Sequence, residues 1–316
     1  MKSLKCSRKH SYGFLLMIAV LITLFCRNTA CAGEDSGITT DENGYTNDDL
    51  HYETDTLKIA VEAKHTDYTV YWLCHVETFN PQQLRSAFCG GTYGLPLRKT
   101  SEEVTAHNGI LGINGSGFSY ETGQPSNGKL LIKNGEVYNN VPSNMNIMCI
   151  TQDGSMYTAA GGLMAEDLIA RTVQHTFCFG PTLVMNGEAF EPEKGGDFRE
   201  VYRKQRMAIG MVNPGDYYIL ATNGRDKYGS QGMSYTEMAQ IFIDLGCTYA
   251  YNLDGGGSVS LVFKGRLLNH PTDAKGERAV GDIIYFVDAG DGAEGDEIIV
   301  HEDEGMLSPS SESVWN

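Results

Sequence analysis

Three consecutive glycines, Gly255, Gly256 and Gly257, stand between two apolar runs in the segment Tyr251-Asn252-Leu253-Asp254-Gly255-Gly256-Gly257-Ser258-Val259-Ser260-Leu261-Val262. A glycine inside a regular element costs about 0.5–1 kcal/mol relative to alanine, because its backbone has more freedom to lose on folding. Three in a row therefore mark a sharp change of chain path, or a place where another group comes closer than a β-carbon allows. Residues 248–253 read as a strand, and Val259, Leu261 and Phe263 alternate as the start of another. The unit is strand, glycine turn, strand, with Asp254 delivered at the strand end.

This arrangement excludes the common glycine-rich nucleotide loops. A dinucleotide fingerprint needs G-x-G-x-x-G opening a helix, so that backbone N–H groups and the helix end meet the pyrophosphate. Here Gly255 and Gly257 fit, position 260 is serine, and the continuation is a strand. A P-loop fails for want of Gly-Lys-Ser/Thr. The run Gly256-Gly257-Ser258-Val259-Ser260 falls one residue short of the G-x-S-x-G nucleophile elbow, which also leads into a helix. What remains presents Asp254, Ser258 and several backbone N–H groups together, although a bare turn uses Asp and Gly for its own reasons.

The charge is unevenly distributed. Residues 1–32 hold five basic residues and no acid; Lys2, Lys5, Arg8 and Lys9 precede the apolar run 14–26, and the small-residue pattern Ala30-Cys31-Ala32 comes after it, which predicts a cleaved signal peptide. Left uncleaved, it would tether the chain to a membrane, the only membrane contact the sequence suggests. Residues 33–56 and 289–316 each carry eight acids and no lysine or arginine, composition expected of a flexible acidic linker and tail. The intervening 57–288 is nearly balanced, with 19 basic against 24 acidic residues. No clustered basic footprint exists, so nucleic acid is excluded as a partner.

Five cysteines follow the signal segment: Cys74, Cys89, Cys149, Cys178 and Cys247. None forms C-x-x-C or pairs with histidine at zinc-site spacing, and the histidines are scattered, so no metal site and no cofactor is expected. Calcium, through oxygen ligands around Asp254, is the one metal the acidic composition admits. The sequence leaves open whether the cysteines pair.

Residues 57–288 read as one domain. Leu57, Ile59 and Val61 alternate, residues 68–76 form a second β-rich run, and hairpins turn at Asn134-Gly135, Asp153-Gly154 and Asn186-Gly187. Residues 217–222 and 279–287 are further strands. Helices are expected from Asn80-Pro81 through about Phe88, from Ser101 towards His107, over 165–173, and after Ser234, where Ser-x-x-Glu makes a capping box ahead of Met238, Ile241, Phe242 and Leu245. The order predicts an α+β fold: a mixed, largely antiparallel sheet with hairpins and a few packed helices.

Five short stretches occur in a telling order: Ile113-Asn114-Gly115-Ser116-Gly117-Phe118, Phe179-Gly180-Pro181-Thr182-Leu183-Val184-Met185-Asn186-Gly187, Arg206-Met207-Ala208-Ile209-Gly210, Thr222-Asn223-Gly224-Arg225, and Asn252-Leu253-Asp254-Gly255-Gly256-Gly257-Ser258. In this order they resemble the phosphodiester glycosidase family, over about residues 105–287. The chain departs from the usual pattern by interposing Ser116 in the first stretch and by carrying Met207 where threonine is common.

The resemblance implies hydrolysis of a sugar-1-phosphodiester within a glycan. The departing phosphate monoester, with a second pKa near 6, needs charge neutralisation more than a proton. A planar guanidinium suits that task, which nominates Arg206 and Arg278, with Arg225 a further candidate. An oxocarbenium-like transition state calls for a carboxylate near the anomeric carbon or one that activates water, and Asp254 is the best placed. Catalysis is thus assigned to Asp254 and Arg206. Substrate binding falls to Asn114, Gly115, Asn223, Arg225, Arg278 and Ser258, and to the amides of Gly255, Gly256 and Gly257 as an anion nest. Glu188, Asp226 and Glu237 are the candidates for a second carboxylate. The competing readings are a non-catalytic glycan-phosphate binding protein and a phosphodiesterase that cuts the P–O bond.

Overall fold

The computed structural model describes residues 49–190, 202–224 and 230–288. The signal segment, most of the acidic linker, the tail, Arg225 and Asp226 lie outside the described residues. From Leu50 onward the described residues belong to one unit.

Two sheets carry the fold. The larger has eight strands in the order His51–Glu53, Leu57–His65, Val70–Thr78, Asp216–Thr222, Met207–Asn213, Tyr249–Asn252, Thr182–Met185 and Glu188–Ala189. The smaller has five, in the order Arg266–Leu267, Leu261–Phe263, Leu111–Asn114, Asp282–Phe286 and Leu84–Phe88. A three-stranded sheet, Met156–Ala159, Ile147–Thr151 and Val173–Phe177, closes one side. All these pairings are antiparallel, as the density of hairpin signals requires.

The period-two alternation of strand side chains then decides what each face meets. Leu57, Ile59, Val61, Met207, Ile209, Tyr249 and Tyr251 from the large sheet share one core with Ile113, Leu261, Phe263, Ile284 and Phe286 from the small one. Residues of opposite parity, such as Ala208, Leu220 and Ala250, pack outward beneath Met238 and Phe242 of the helix Tyr235–Asp244. Likewise Ile283 and Tyr285 meet Val104 of the helix Thr100–Ala106. Each fully buried aliphatic or aromatic side chain contributes about 1.5–3 kcal/mol. The longer helix approaches closely because residue 210 is glycine: a β-carbon there would sit 2.6 Å from the Phe242 ring.

Most elements fall where the residues place them. All three hairpins form at the expected turns, with Asn134 and Asn186 in the left-handed region at φ 50° and 56°. The capping box at Ser234 forms, its hydroxyl accepting from Glu237 N at 3.3 Å while the Glu237 carboxylate accepts from Ser234 N at 2.9 Å. Elsewhere tertiary pairing overrides local signals. Asn80-Pro81 opens only a 3-10 turn, Pro81–Gln83, and Leu84–Phe88 is a strand because Leu84, Ser86 and Phe88 alternate inward and the backbone pairs with Asp282–Phe286. The helix expected over 165–173 stops at Ile169, and Val173–Phe177 joins Ile147–Thr151. The strand expected over 279–287 divides at Gly281 into Ala279–Val280, paired with Arg98–Lys99, and Asp282–Phe286. The large sheet begins at His51, ahead of residue 57.

All five cysteines of this region are buried free thiols. Among the described residues no helix is long and apolar enough to cross a membrane.

Candidate active site

The five sequence stretches are far apart in the chain and meet at one end of the two sheets. Asp254 N donates to Gly115 O at 3.1 Å, Gly117 N to Cys178 O at 3.3 Å, and Gly180 N to Asn252 O at 3.1 Å. Gly256 N donates to Gln205 O at 2.9 Å, and Thr222 N to Arg206 O at 2.9 Å. These backbone bonds tie the first, second, third and fourth stretches, directly or through one neighbour, to the glycine loop.

At their centre the strand Tyr249–Asn252 ends and the chain makes a single 3-10 turn, Gly256–Ser258, before Leu261–Phe263. Gly256 occupies φ 59°, a region open to glycine at no steric cost. The other two glycines are required by proximity. A β-carbon on Gly255 would lie 2.9 Å from the Gln205 carbonyl oxygen, and one on Gly257 would lie 2.3 Å from Arg278 Nη2 and 2.4 Å from Asp273 Oδ1.

Asp254 is partly exposed at the rim of this loop. Its Oδ1 accepts from Gly255 N at 2.8 Å. Burial nevertheless pushes its pKa above the ordinary aspartate value, against the lowering effects of the Ser258 hydroxyl, the Gly255 amide and the Arg278 charge. A carboxyl so tuned is suited to exchange a proton during a reaction.

Arg278 faces the loop from the other side. Its Nε and Nη2 donate to Asp273 at 2.8 and 2.9 Å, and its Nη1 donates to Ser258 Oγ at 3.3 Å. Ser258, fully buried, therefore ties the guanidinium to the glycine loop that carries Asp254. The Asp273 bond holds Arg278 firmly protonated, its pKa raised. The structure thus brings together Asp254, Gly255, Gly256, Gly257, Ser258 and Arg278.

Other expected site residues are spent on structure. The Asn114 side chain, 1% exposed, donates from Nδ2 to the Asp254 carbonyl at 2.8 Å and accepts at Oδ1 from Ser260 N at 3.1 Å. It staples the two ends of the glycine loop, with both heteroatoms of its buried amide engaged by backbone. Gly115 packs against Asp282, whose Oδ1 would stand 2.6 Å from an added β-carbon. Asn223, 4% exposed, holds His270 through Oδ1, which accepts from His270 N at 3.2 Å. Of the three amides expected to form an anion nest, Gly255 N donates to Asp254 Oδ1 and Gly256 N to Gln205 O.

Arg206 is also buried, at 6% exposure. Its guanidinium packs 4.0 Å from the Tyr235 ring centroid and donates from Nη1 to Tyr235 Oη at 2.7 Å, with further bonds to the Met233 and Tyr202 carbonyls at 3.4 and 3.3 Å. It therefore faces the helix side of the large sheet, away from the loop core. Burial lowers its pKa, opposed by Tyr235. Of the candidate second carboxylates, Glu237 is occupied with Ser234 and Arg203, Glu188 is exposed on a hairpin, and Asp226 lies outside the described residues.

Sequence reasoning missed Asp273 and Asp282, the carboxylates that do approach the loop. Asp282 carried a signal, since an acid heading Asp-Ile-Ile-Tyr-Phe is out of keeping with a buried strand. Asp273 carried none beyond its spacing of five from Arg278. Among the described residues no three His, Cys, Asp or Glu side chains are grouped to hold a metal ion, and the cation whose charge acts on Asp254 is Arg278.

The chain is 26% identical over 223 residues to the SPbeta prophage-derived uncharacterized protein YomE of Bacillus subtilis, covering 66% of this chain and 33% of that protein. It is 26% identical over 197 residues to N-acetylglucosamine-1-phosphodiester alpha-N-acetylglucosaminidase of Bos taurus, covering 56% of this chain and 35% of the relative. The chain thus spans about a third of the length of these curated relatives. The fold resembles the catalytic domain of the zebrafish N-acetylglucosamine-1-phosphodiester alpha-N-acetylglucosaminidase at a TM-score of 0.62 and 20% identity, covering 76% of this chain and 86% of that one. A hypothetical protein from Synechocystis matches at a TM-score of 0.57 and 17% identity, covering 74% and 63%. The sequence profile of the phosphodiester glycosidase family matches residues 107–287, more than half of the chain and all five of the converging stretches, and the protein belongs to that family.

Proposed function

We propose that the protein is an exported hydrolase that cleaves the glycosidic C–O bond of a sugar-1-phosphodiester in an envelope or extracellular glycan. The observation that carries this reading is the pairing of Asp254, whose carboxyl is held at the rim of a loop stripped of side chains, with Arg278, whose guanidinium is fixed by Asp273 and donates to Ser258 of the same loop. Family membership supports glycosidase-type hydrolysis of phosphodiester sugars. Export rests on the basic, then apolar, then small-residue pattern of residues 1–32.

In this mechanism the substrate phosphate lies against Arg278 and the anomeric carbon near Asp254. Asp254 takes a proton from an attacking water, the new bond forms between that water oxygen and the anomeric carbon, and the old C–O bond breaks. The electron pair leaves with the phosphate monoester, whose charge the guanidinium neutralises. Asp273 holds the guanidinium in orientation. Arg206, fixed by Tyr235, braces the segment in which the neighbouring Gln205 meets the loop.

The test is release of free sugar from N-acetylglucosamine-1-phospho-methyl and related diesters in ¹⁸O water, with and without EDTA. Turnover abolished by Asp254→Asn, with label in the sugar, supports the assignment. Label in the phosphate would replace it with P–O cleavage, and binding without turnover by folded wild-type protein would replace it with a non-catalytic role. Loss of activity in EDTA would call for a metal in the site.

A further inference from the structure

Behind the glycine loop lies a buried ion pair that the proposed reaction does not use. Lys133 ends the strand Leu131–Lys133, Asp282 begins Asp282–Phe286, and their side chains are 2% and 0% exposed. Lys133 Nζ donates to Asp282 Oδ2 and to Ser86 Oγ, both at 2.6 Å, and lies 4.0 Å from the centroid of the Phe177 ring. Such a pair is a poor source of stability, because desolvating two charges offsets most of their attraction and an apolar pair of the same volume packs as well. Its geometry shows a different use. Asp282 Oδ1 accepts from Ser116 N at 2.7 Å, its Oδ2 from Ser116 Oγ at 3.2 Å, and its backbone oxygen from Gly115 N at 2.9 Å. Gly115 in turn holds Asp254, its oxygen accepting from Asp254 N, and the adjoining Asn114 donates from Nδ2 to Asp254 O.

We propose that the Lys133–Asp282 pair is a positioning device for Asp254: it grips the turn at Ser116, through it fixes the Asp254 backbone, and sets the field in which the Asp254 carboxyl works. The inference rests on Asp254 as the reacting carboxyl. It also accounts for Ser116, the residue by which the first stretch departs from the family pattern, since both its N–H and its hydroxyl are bound by Asp282. Among the described residues, the charged and titratable groups around Asp254 are Arg278 with its bound Asp273, and Asp282; those around the pair are Cys89 and His175. Asp282 acts on Asp254 as a like charge that holds its proton on.

The proposal is tested on the full chain by ¹³C-carboxyl NMR titration of Asp254, its resonance assigned by loss in Asp254→Asn. The double variant Asp282→Asn with Lys133→Met removes both charges together and keeps an oxygen to accept from Ser116. Removing the nearer like charge should lower the Asp254 midpoint by about half a pH unit or more. On any diester substrate, the acid limb of the pH–rate profile should move with it and kcat should fall with KM little changed. A folded double variant with an unchanged midpoint would reduce the pair to a core brace and overturn the proposal. Should the double variant not fold, Asp282→Asn alone gives the same sign, because an unpaired buried lysine sheds its proton, and an unchanged midpoint overturns the proposal equally. The titration needs no substrate, so failure of the proposed reaction leaves its result readable.

Discussion

Gly257 lies flush against the guanidinium of Arg278: a β-carbon at this position would stand 2.3 Å from Nη2 and 2.6 Å from Cζ. The absence of one side chain thus decides where another can sit. Arg278 reaches Ser258 Oγ only because position 257 leaves the space.

Gly257→Ala should therefore displace the Arg278–Asp273 pair and lower kcat/KM by about 10-fold or more, the order expected when a charged hydrogen bond is lost. Gly256→Ala meets open space but carries φ 59°, so it should cost about 1 kcal/mol of stability with a smaller effect on activity. Steady-state kinetics and thermal melts on the two variants check the contrast, and equal kinetic losses would contradict it.

Asp254→Asn should stabilise the protein at neutral pH while removing activity. Burial raises the Asp254 pKa, so the folded state holds this proton where the unfolded chain has released it. The resulting penalty is absent below the ordinary aspartate value near pH 4, grows as pH rises through the folded value, and is fully present above it. Melts of wild type and variant should converge at low pH and separate, variant higher, towards neutrality.

Asn114→Ala should act through stability and loop placement. It leaves the Asp254 carbonyl and the Ser260 amide without their buried partner, at a cost of about 1–3 kcal/mol. Denaturant unfolding should show this loss, with kcat reduced more than KM is raised. A variant of unchanged stability and raised KM would restore Asn114 as a direct substrate ligand.

His175 should make the protein acid-sensitive. Burial, assisted by the Lys133 charge, lowers its pKa to about 3, and its Nδ1 accepts from Asn134 N at 3.3 Å, so the folded ring stays neutral. The unfolded chain takes up the proton near pH 6.5, and stability is lost as pH falls from there towards 3, at about 1.4 kcal/mol per pH unit for this one proton. His175→Gln should flatten that dependence in urea unfolding between pH 6 and 4. An unchanged slope would mean that other groups govern acid unfolding.

By itself the sequence determined the elements whose signals are local. Asn134-Gly135 and Asn186-Gly187 require left-handed turns, Ser234 and Glu237 cap the same helix end, and alternation in 57–61 defines a half-buried strand. It also marked the glycine loop and Asp254, because backbone freedom and a strand-end carboxylate are written in residue type. Only the tertiary structure decided what those glycines make room for, since Gln205, Asp273 and Arg278 reach them from elsewhere in the chain. Only it separated Arg278, bonded to Ser258 of the glycine loop, from Arg206, turned towards Tyr235, because strand parity and partner surfaces set the direction of a long side chain. Asn114 shows the same division: residue type supplied an amide able to bind a sugar, and folding gave that amide to the Asp254 carbonyl and the Ser260 N–H, because buried backbone groups must be paired.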